Sequence, residues 1–249
     1  MSEKRVRAGT KLRLIIAVVL LSTLCISSWQ LWKISSVYSN ERVIHLKLLE
    51  YKPVPMPDAE REVVNQSVLD AQRTLNADIV GWLTVPYTKI DYPFVQTQDN
   101  DYYLHRDIYT QNAAAGTLFM DAACKPDFSG FNTIIYGHHM KNGSMFGTLK
   151  QFADKDFFET NTVGYIYLPL RTITLDIFAY VVIPSTDRII YGLGERGTRE
   201  ALDEYITTVR QKSVNFREMD FIPGCHVVTL STCAYDYTDA RMVLLAVAK

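Results

Sequence analysis

The pattern of apolar and polar residues divides the chain into three parts. An uncharged, mostly apolar stretch runs from Leu14 to Trp32. Its roughly 19 residues are about the length that an α-helix needs to cross the hydrocarbon core of a bilayer. Apolar residues then recur at helical spacing up to about Leu75, and from Asn76 onward they form short runs separated by turn residues. The pattern predicts a membrane-spanning helix, further helices and then a β-rich domain.

The apolar stretch has the flanks of a signal anchor. Five basic residues precede it: Lys4, Arg5, Arg7, Lys11 and Arg13. By the positive-inside tendency they keep the N-terminus in the cytoplasm, and Trp29, Trp32 and Lys33 suit the interface on the extracellular side. A cleaved signal peptide and a buried core helix are the alternatives. The absence of an A-x-A-like cleavage site disfavours the first and the basic flank disfavours the second, so an uncleaved anchor is the prediction.

Two further helices are predicted before the β-rich part. Residues 35–40 are polar, residues 41–50 suggest a short helix, and the three prolines of residues 52–57 indicate a stiff connector. Asp58 can cap a second helix that runs to about Leu75. The predicted organisation is a cytoplasmic segment (1–13), a transmembrane helix (14–32), a linker with N-terminal helices (33–75) and a β-barrel domain (76–249).

Eight short β runs follow Asn76. They cover residues 79–85, 90–95, 116–120, 133–136, 164–168, 171–183, 227–232 and 241–248. Many short strands with few long helices predict a mainly β fold, a closed or nearly closed eight-stranded antiparallel barrel. Two helical inserts are expected, at residues 145–152 and at residues 198–212, and the second is the long helix before the last strand pair.

Composition and charge narrow the class of protein. With 249 residues, of which 48% are hydrophobic and 12% aromatic, the chain can bury a substantial core in one domain. Its 26 basic and 27 acidic residues give a net charge of −1. Such a balance gives no support for nucleic-acid binding, for which a basic excess is typical.

The four cysteines point to a free thiol outside the membrane. Cys25 falls within the predicted span, which leaves Cys124, Cys225 and Cys233. Three is an odd number, so at least one thiol stays unpaired unless it pairs between chains. A Cys124–Cys225 disulfide is permitted by this count, although nothing in the sequence argues for it.

Candidate catalytic residues lie near the end of the chain. Cys233 ends one predicted strand, and Arg241 begins the next after a seven-residue loop. Strand periodicity puts Thr229, Ser231 and Cys233 on one face. A nucleophilic thiol, a guanidinium that can stabilise an oxyanion, and a histidine that can transfer protons are the groups that acyl transfer through a thioester needs.

The histidine is predicted to come from the pair His138 and His139, which follows Gly137. Adjacent residues of an extended chain point to opposite sides, so only one of them can face Cys233. Neither this pair nor the Cys225-His226 pair has the usual spacing of zinc ligands, so no metal or other cofactor is expected. His45, His105 and His226 are interpreted as ordinary surface or packing residues.

Several motifs together resemble those of the class B sortases, membrane-anchored transpeptidases of Gram-positive bacteria. The resemblance extends from about Asn76 to the C-terminus, and the helical N-terminal segment also fits class B. The matching segments are Val80-Gly81-Trp82, Ile90-Asp91-Tyr92-Pro93, residues 99–104, Tyr136-Gly137-His138-His139-Met140 and residues 229–233.

This resemblance implies roles for particular residues. The histidine directly after the glycine is catalytic in the family, which assigns His138; Cys233 becomes the nucleophile and Arg241 the oxyanion-stabilising or substrate-orienting group. Asn100, Leu104 and Ser231 are implied as substrate-binding residues. Asp236 or Asp239 can orient His138, and the sequence does not choose between them.

The resemblance also implies partners and location. A sorting signal, of the Asn-Pro-x-Thr type in class B sortases as a group, is cleaved after Thr, and the acyl group passes to an amine of a cell-wall precursor. The enzyme is expected in the cell membrane as a single-pass protein with an extracellular catalytic domain. Two alternatives stay open on the residues: an extracellular cysteine protease that releases its product to water, and a non-catalytic surface-binding protein.

Overall fold

The computed structural model describes the backbone of residues 2–53, 58–233 and 240–249, and the side chains of residues 13–53, 67–232 and 240–249. The chain separates into two compact units, residues 1–44 and residues 45–249. The predicted connector at residues 54–57 and the loop at residues 234–239, with Asp236 and Asp239, lie outside the described residues.

Two long helices begin the chain. Helix α1 spans Ser2–Leu48 without interruption and ends in a 3-10 turn at Leu49–Tyr51, so the segment predicted as a separate short helix at residues 41–50 is its C-terminal end. Helix α2, Asp58–Leu75, has the predicted bounds. Within the described residues, one helix (Arg13–Tyr51) is long and apolar enough to cross a membrane, with a mean hydropathy of 2.1 in its most apolar window.

The rest of the chain is mainly β. In the described part of the chain, nine strands form one sheet: β1 Ile79–Thr84, β2 Asp91–Val95, β3 Leu118–Met120, β4 Asn132–His138, β5 Val163–Tyr167, β6 Thr172–Pro184, β7 Ser213–Phe216, β8 His226–Cys233 and β9 Ala240–Ala248. Their order is β5-β1-β2-β3-β4-β8-β9-β6-β7, and β5 also pairs with β6. Eight strands therefore close the predicted barrel, and β7 extends it as an edge strand that sequence patterning missed.

Two strand pairings depart from the antiparallel prediction. Strand β2 pairs with β3 in parallel, and β4 pairs with β8 in parallel over seven residue pairs. Parallel neighbours require a long connection, and residues 96–117 and 139–225 supply it. The barrel is thus mainly antiparallel with two parallel seams.

The two helical inserts differ in outcome. Helix α4, Arg199–Lys212, is confirmed, and the Thr198 hydroxyl caps it by accepting from the Ala201 amide at 3.3 Å. The helix predicted at residues 145–152 is wrong. Met145 has a left-handed φ of 50° and Gly147 packs against backbone, so this segment forms turns and a 3-10 helix at Leu149–Ala153. A short helix α3, Lys155–Thr160, follows it.

Alternation along the last strands fills two separate cores. Leu230, Leu244 and Ala246 belong to the cluster inside the barrel. Their neighbours in sequence face the other way, and Val243, Leu245 and Val247 pack with the apolar side of α4. Strand β8 is therefore buried on both faces, which fixes its register because a shift by one residue would exchange the two faces.

Gly116 illustrates how tightly the barrel packs near β3. It has a left-handed φ of 59°, and a Cβ there would lie 2.7 Å from the carbonyl oxygens of Tyr103 and Leu104. Backbone oxygens cannot rotate away as side chains do. Only glycine fits this position without strain.

We expect Gly116→Ala to lower the free energy of unfolding by about 1–3 kcal/mol, because it adds both a left-handed alanine and a backbone clash. Gly194→Ala is the control, since nothing lies within 4 Å of its added Cβ. Urea denaturation of the detergent-solubilised chain, followed by tryptophan fluorescence, measures both variants. Equal midpoints for the two would contradict the packing argument.

Candidate active site

The parallel pairing of β4 with β8 brings together residues that lie far apart in sequence. Its register runs from Asn132 opposite Val227 to His138 opposite Cys233. The Cα atoms of the candidate histidine and the candidate nucleophile are therefore paired at the ends of adjacent strands. The side chain of Cys233 lies outside the described residues.

His138 is almost fully buried, with 7% of its surface exposed. Its Nε2 lies 2.7 Å from the carbonyl oxygen of Leu104, and since a carbonyl only accepts, this nitrogen donates. Burial lowers the pKa of His138 below its usual 6.5; the bond to Leu104 opposes this shift and the nearby His105 adds to it. The neutral imidazole is therefore favoured by this environment.

Two other histidines, His139 and His105, lie near His138 in different positions. His139 lies beyond the β4–β8 ladder and forms an isolated backbone bridge with Met145. The His105 ring, expected to be an ordinary surface group, has its centroid 6.5 Å from that of His138. Sequence gave no signal for this approach, because His105 lies on the long connection between β2 and β3.

Arg241 is hydrogen-bonded to Thr232, the residue that precedes Cys233. It pairs with Ile183 of β6, and its Nη1 donates to the carbonyl oxygen of Thr232 at 3.2 Å. The Thr232 hydroxyl in turn accepts from the Met242 amide at 3.0 Å. The Nε of Arg241 is buried and has no hydrogen-bond partner among the described residues. A cation is thus fixed at the end of β8, and its buried Nε–H has no acceptor in the part of the chain that the structure describes.

The three predicted substrate-binding residues lie in different environments. Ser231 is fully buried, and its Oγ lies 2.8 Å from the Tyr191 hydroxyl. Leu104 is half-buried and holds His138 through its carbonyl. Asn100 is exposed, donates to the Asp121 carboxylate at 2.9 Å and accepts from the Ala122 amide at 2.8 Å.

Tyr136 and Tyr191 were missed as candidates. Tyr136 pairs with Ser231 and donates to Asp121 at 3.1 Å; burial, assisted by the Asp121 charge, raises its pKa. Strand alternation could have found Tyr136, which precedes His138 by two residues. Tyr191 lies in the connection between β6 and α4, where no periodic pattern marks it.

The other cysteines of the domain are free thiols. Burial raises the pKa of Cys124 to about 11, and it also raises that of Cys225. Thiols with raised pKa values are poor nucleophiles at neutral pH. Within the described ranges, no three His, Cys, Asp or Glu side chains come together as a metal site.

Comparison with known proteins identifies the family. A family model of the sortase domain matches residues 83–249. Sortase B of Listeria monocytogenes is 37% identical over 218 residues, which cover 86% of this chain and 88% of the relative. Sortase B of Bacillus anthracis, solved in complex with AAEK1, has a TM-score of 0.70 at 31% identity, covering 85% of this chain and 96% of the other.

A third similar protein is Staphylococcus aureus sortase B, solved as a substrate complex. Its TM-score is 0.68 at 26% identity, and the match covers 74% of this chain and 85% of the other. The matched region includes every strand from β2 to β9 in the family comparison. This chain belongs to the sortase family, as a cysteine transpeptidase of the class B type.

Proposed function

We propose that Cys233, His138 and Arg241 form the catalytic centre of this transpeptidase, which cleaves a sorting signal after Thr and passes the acyl group to a cell-wall amine. The observation that carries the proposal is the backbone pairing of His138 with Cys233 beside the Arg241–Thr232 hydrogen bond. Together these contacts supply a nucleophile, a proton carrier and a cation at the end of one strand pair.

The first half-reaction forms a thioester. The Cys233 thiolate attacks the carbonyl carbon of the Thr residue, and the carbonyl oxygen becomes an oxyanion next to the Arg241 guanidinium. The imidazolium of His138 gives its proton to the departing amine as the C–N bond breaks. The products are a thioacyl-enzyme, a neutral histidine and the released C-terminal peptide.

The second half-reaction reverses these roles. An amine of a cell-wall precursor attacks the thioester, His138 accepts the proton that the amine loses, and the Cys233 thiolate leaves. The new bond is an isopeptide-like amide. Water in place of the amine would make the enzyme a protease, so the competition between the two determines the outcome.

The charge state of His138 follows from its surroundings. Burial lowers its pKa, so the imidazolium needs a negative partner to hold its proton near neutral pH. A thiolate on Cys233 would supply that charge, and the two groups would then stabilise each other. The pKa values of Cys233 and His138 are therefore coupled, and neither can be assigned to one residue alone.

Asn100, Leu104 and Ser231 are proposed to line the donor-peptide site, together with Tyr191. The buried Ser231 hydroxyl contacts the half-buried Tyr191, so Tyr191 is the member of this pair that the peptide would meet first. The Staphylococcus aureus relative is described with a substrate, which supports a peptide site in this fold.

Residues 14–32 are proposed as an uncleaved membrane anchor, with residues 1–13 in the cytoplasm. Residues 33–75 would then link the anchor to an extracellular catalytic domain at residues 76–249. The long apolar helix and the basic residues before it support this orientation.

Cys233→Ala should abolish turnover, because the thiol is required for the covalent step. Intact-mass spectrometry of the wild type with Asn-Pro-x-Thr-type donor peptides should show a thioacyl adduct that this variant lacks. Parallel incubations with and without an amine acceptor separate transpeptidation from hydrolysis. An adduct mapped to Cys124 or Cys225 would refute the assignment, and the absence of any reaction would favour a binding protein.

Arg241→Lys should slow acylation by about a hundred- to a thousand-fold, since lysine keeps the charge but loses the planar fork of donors. The loss should fall on the acylation rate, with little change in peptide affinity. Single-turnover kinetics distinguish the two quantities. Near-wild-type kinetics would reduce Arg241 to a structural charge.

The His138 imidazole should titrate below 6.5 in the Cys233→Ala variant, where no thiolate can hold the proton. Histidine NMR titration measures this, with the resonance assigned through His138→Gln. Because the folded-state pKa is lower than the unfolded one, protons favour the unfolded chain, and stability falls as the pH drops below 6.5. A midpoint above 6.5 would contradict the dominance of burial.

A further inference from the structure

A buried amide side chain fastens the connection between β6 and α4 to the barrel. The side chain of Asn132, the first residue of β4, donates through Nδ2 to the carbonyl oxygens of Ile190 at 2.9 Å and Gly192 at 3.2 Å. Its Oδ1 accepts from the Thr229 hydroxyl of β8 at 2.7 Å. Asn132 is 3% exposed and Thr229 is fully buried. One amide thus joins this connection to both strands that carry the candidate nucleophile and histidine.

An ion pair between the buried Asp187 and the exposed Lys212 holds the same turn from the other side. Oδ1 of Asp187 accepts from the amides of Ile189 at 3.1 Å and Ile190 at 3.0 Å, and Oδ2 is bonded to Lys212 at the end of α4. Burial opposes ionisation of Asp187, but the bonds from Lys212 and the two amides outweigh it and lower its pKa. The turn at residues 187–192 is therefore held by hydrogen bonds from β4 and α4 and by two of its own amides.

Tyr191 lies between the two carbonyl groups that Asn132 holds. Its hydroxyl is 2.8 Å from Ser231 Oγ, two residues before Cys233. A tyrosine on a loop normally has several rotamers and backbone states open to it. Here the carbonyls on both sides are fixed, so the Asn132 bonds restrict the backbone that carries the ring.

We propose that Asn132 and Asp187 are positioning residues that hold Tyr191 on Ser231 and thereby set the affinity for the donor peptide. This inference rests on the proposed function, because it takes Tyr191, with Ser231 behind it, as part of the peptide site. Neither positioning residue needs to touch the peptide; each acts through the turn. An apolar residue at position 132 would fill the space but remove the donor to the Ile190 and Gly192 carbonyls and the acceptor for the Thr229 hydroxyl.

Asn132→Asp is the sharpest variant, because it keeps the shape and the acceptor for Thr229 but removes the donor to both carbonyls. We expect KM for an Asn-Pro-x-Thr-type donor peptide to rise about ten-fold, as the loss of buried hydrogen bonds implies. The value of kcat should change less than about three-fold. Binding of the same peptide to the Cys233→Ala background should weaken by the same factor as KM rises.

Asn215→Asp is the matched control. Nδ2 of Asn215 also bridges two main-chain carbonyls, those of Phe152 at 2.8 Å and Ala153 at 3.0 Å, but it does so on the edge strand β7. Thermal unfolding of both variants shows the loss of stability that each suffers. If Asn132 had only a structural role, KM would rise in proportion to the loss of stability in both variants. We expect KM to rise only for Asn132→Asp.

A double-mutant cycle with Tyr191→Phe tests the route of the effect. If Asn132 acts through Tyr191, the combined variant should bind the peptide no more weakly than the weaker of the two single variants.

Asp187→Asn should give a smaller rise in KM than Asn132→Asp, because it keeps the acceptor for the two amides but loses the charge that Lys212 pairs with.

Fully additive effects in the cycle, or an equal rise in KM for Asn215→Asp, would overturn the positioning role. The failure of the proposed function has a different signature: the wild type would form no thioacyl adduct on Cys233. Normal wild-type turnover with an unchanged KM in Asn132→Asp would overturn only this inference.

Discussion

The parallel pairing of β4 with β8 is the constraint on which the rest of the site depends. It joins strands whose paired residues are about a hundred positions apart, and it is one of two parallel seams in a mainly antiparallel barrel. An antiparallel register would have sent the ends of the two strands to opposite rims of the barrel. In parallel they end together, and His138 and Cys233 are the last pair.

The burial of β8 on both faces makes this register firm. One face contributes to the barrel interior, and the other packs under helix α4 and the turn at residues 187–192. Sliding β8 by one residue would place Thr229 and Ser231 in the apolar interior and lose their partners Asn132 and Tyr191. The hydroxyls of Thr229 and Ser231 therefore have two effects. They fix the register of β8, and they link this strand, through Asn132 and directly to Tyr191, with the segment between β6 and α4.

Burial also determines the electrostatics. His138, Tyr136 and Cys124 all have pKa values shifted toward their neutral forms, with loss of water as the largest cause. In such surroundings a thiolate and an imidazolium would each depend on the charge of the other for stabilisation. Arg241 places a positive charge at this rim, held by the Thr232 carbonyl where a negative oxygen is proposed to form.

The sequence by itself determined the elements: the apolar span, helix α2 from Asp58 to Leu75, helix α4, and strands β8 and β9 with their alternating faces. These signals are local, because helical and strand periodicity reflect which side of a short segment is buried. It also pointed to Cys233, Arg241 and the histidine pair as candidates. Strand β7 and the turns at residues 144–148 escaped it, since four residues carry little periodic signal and Met145 adopts a left-handed φ of 50°.

Only the tertiary structure decided which strands are neighbours. Alternation tells which face of β4 is buried but not that β8 lies beside it in parallel, that β5 meets β6 to close the barrel, or that His138 rather than His139 ends the ladder. Likewise Asn132, Asp187 and Tyr191 belong to segments distant in sequence, and nothing local marks their contacts. Partners of this kind follow from the closure of the whole barrel, in which each strand takes the neighbour that buries both its faces.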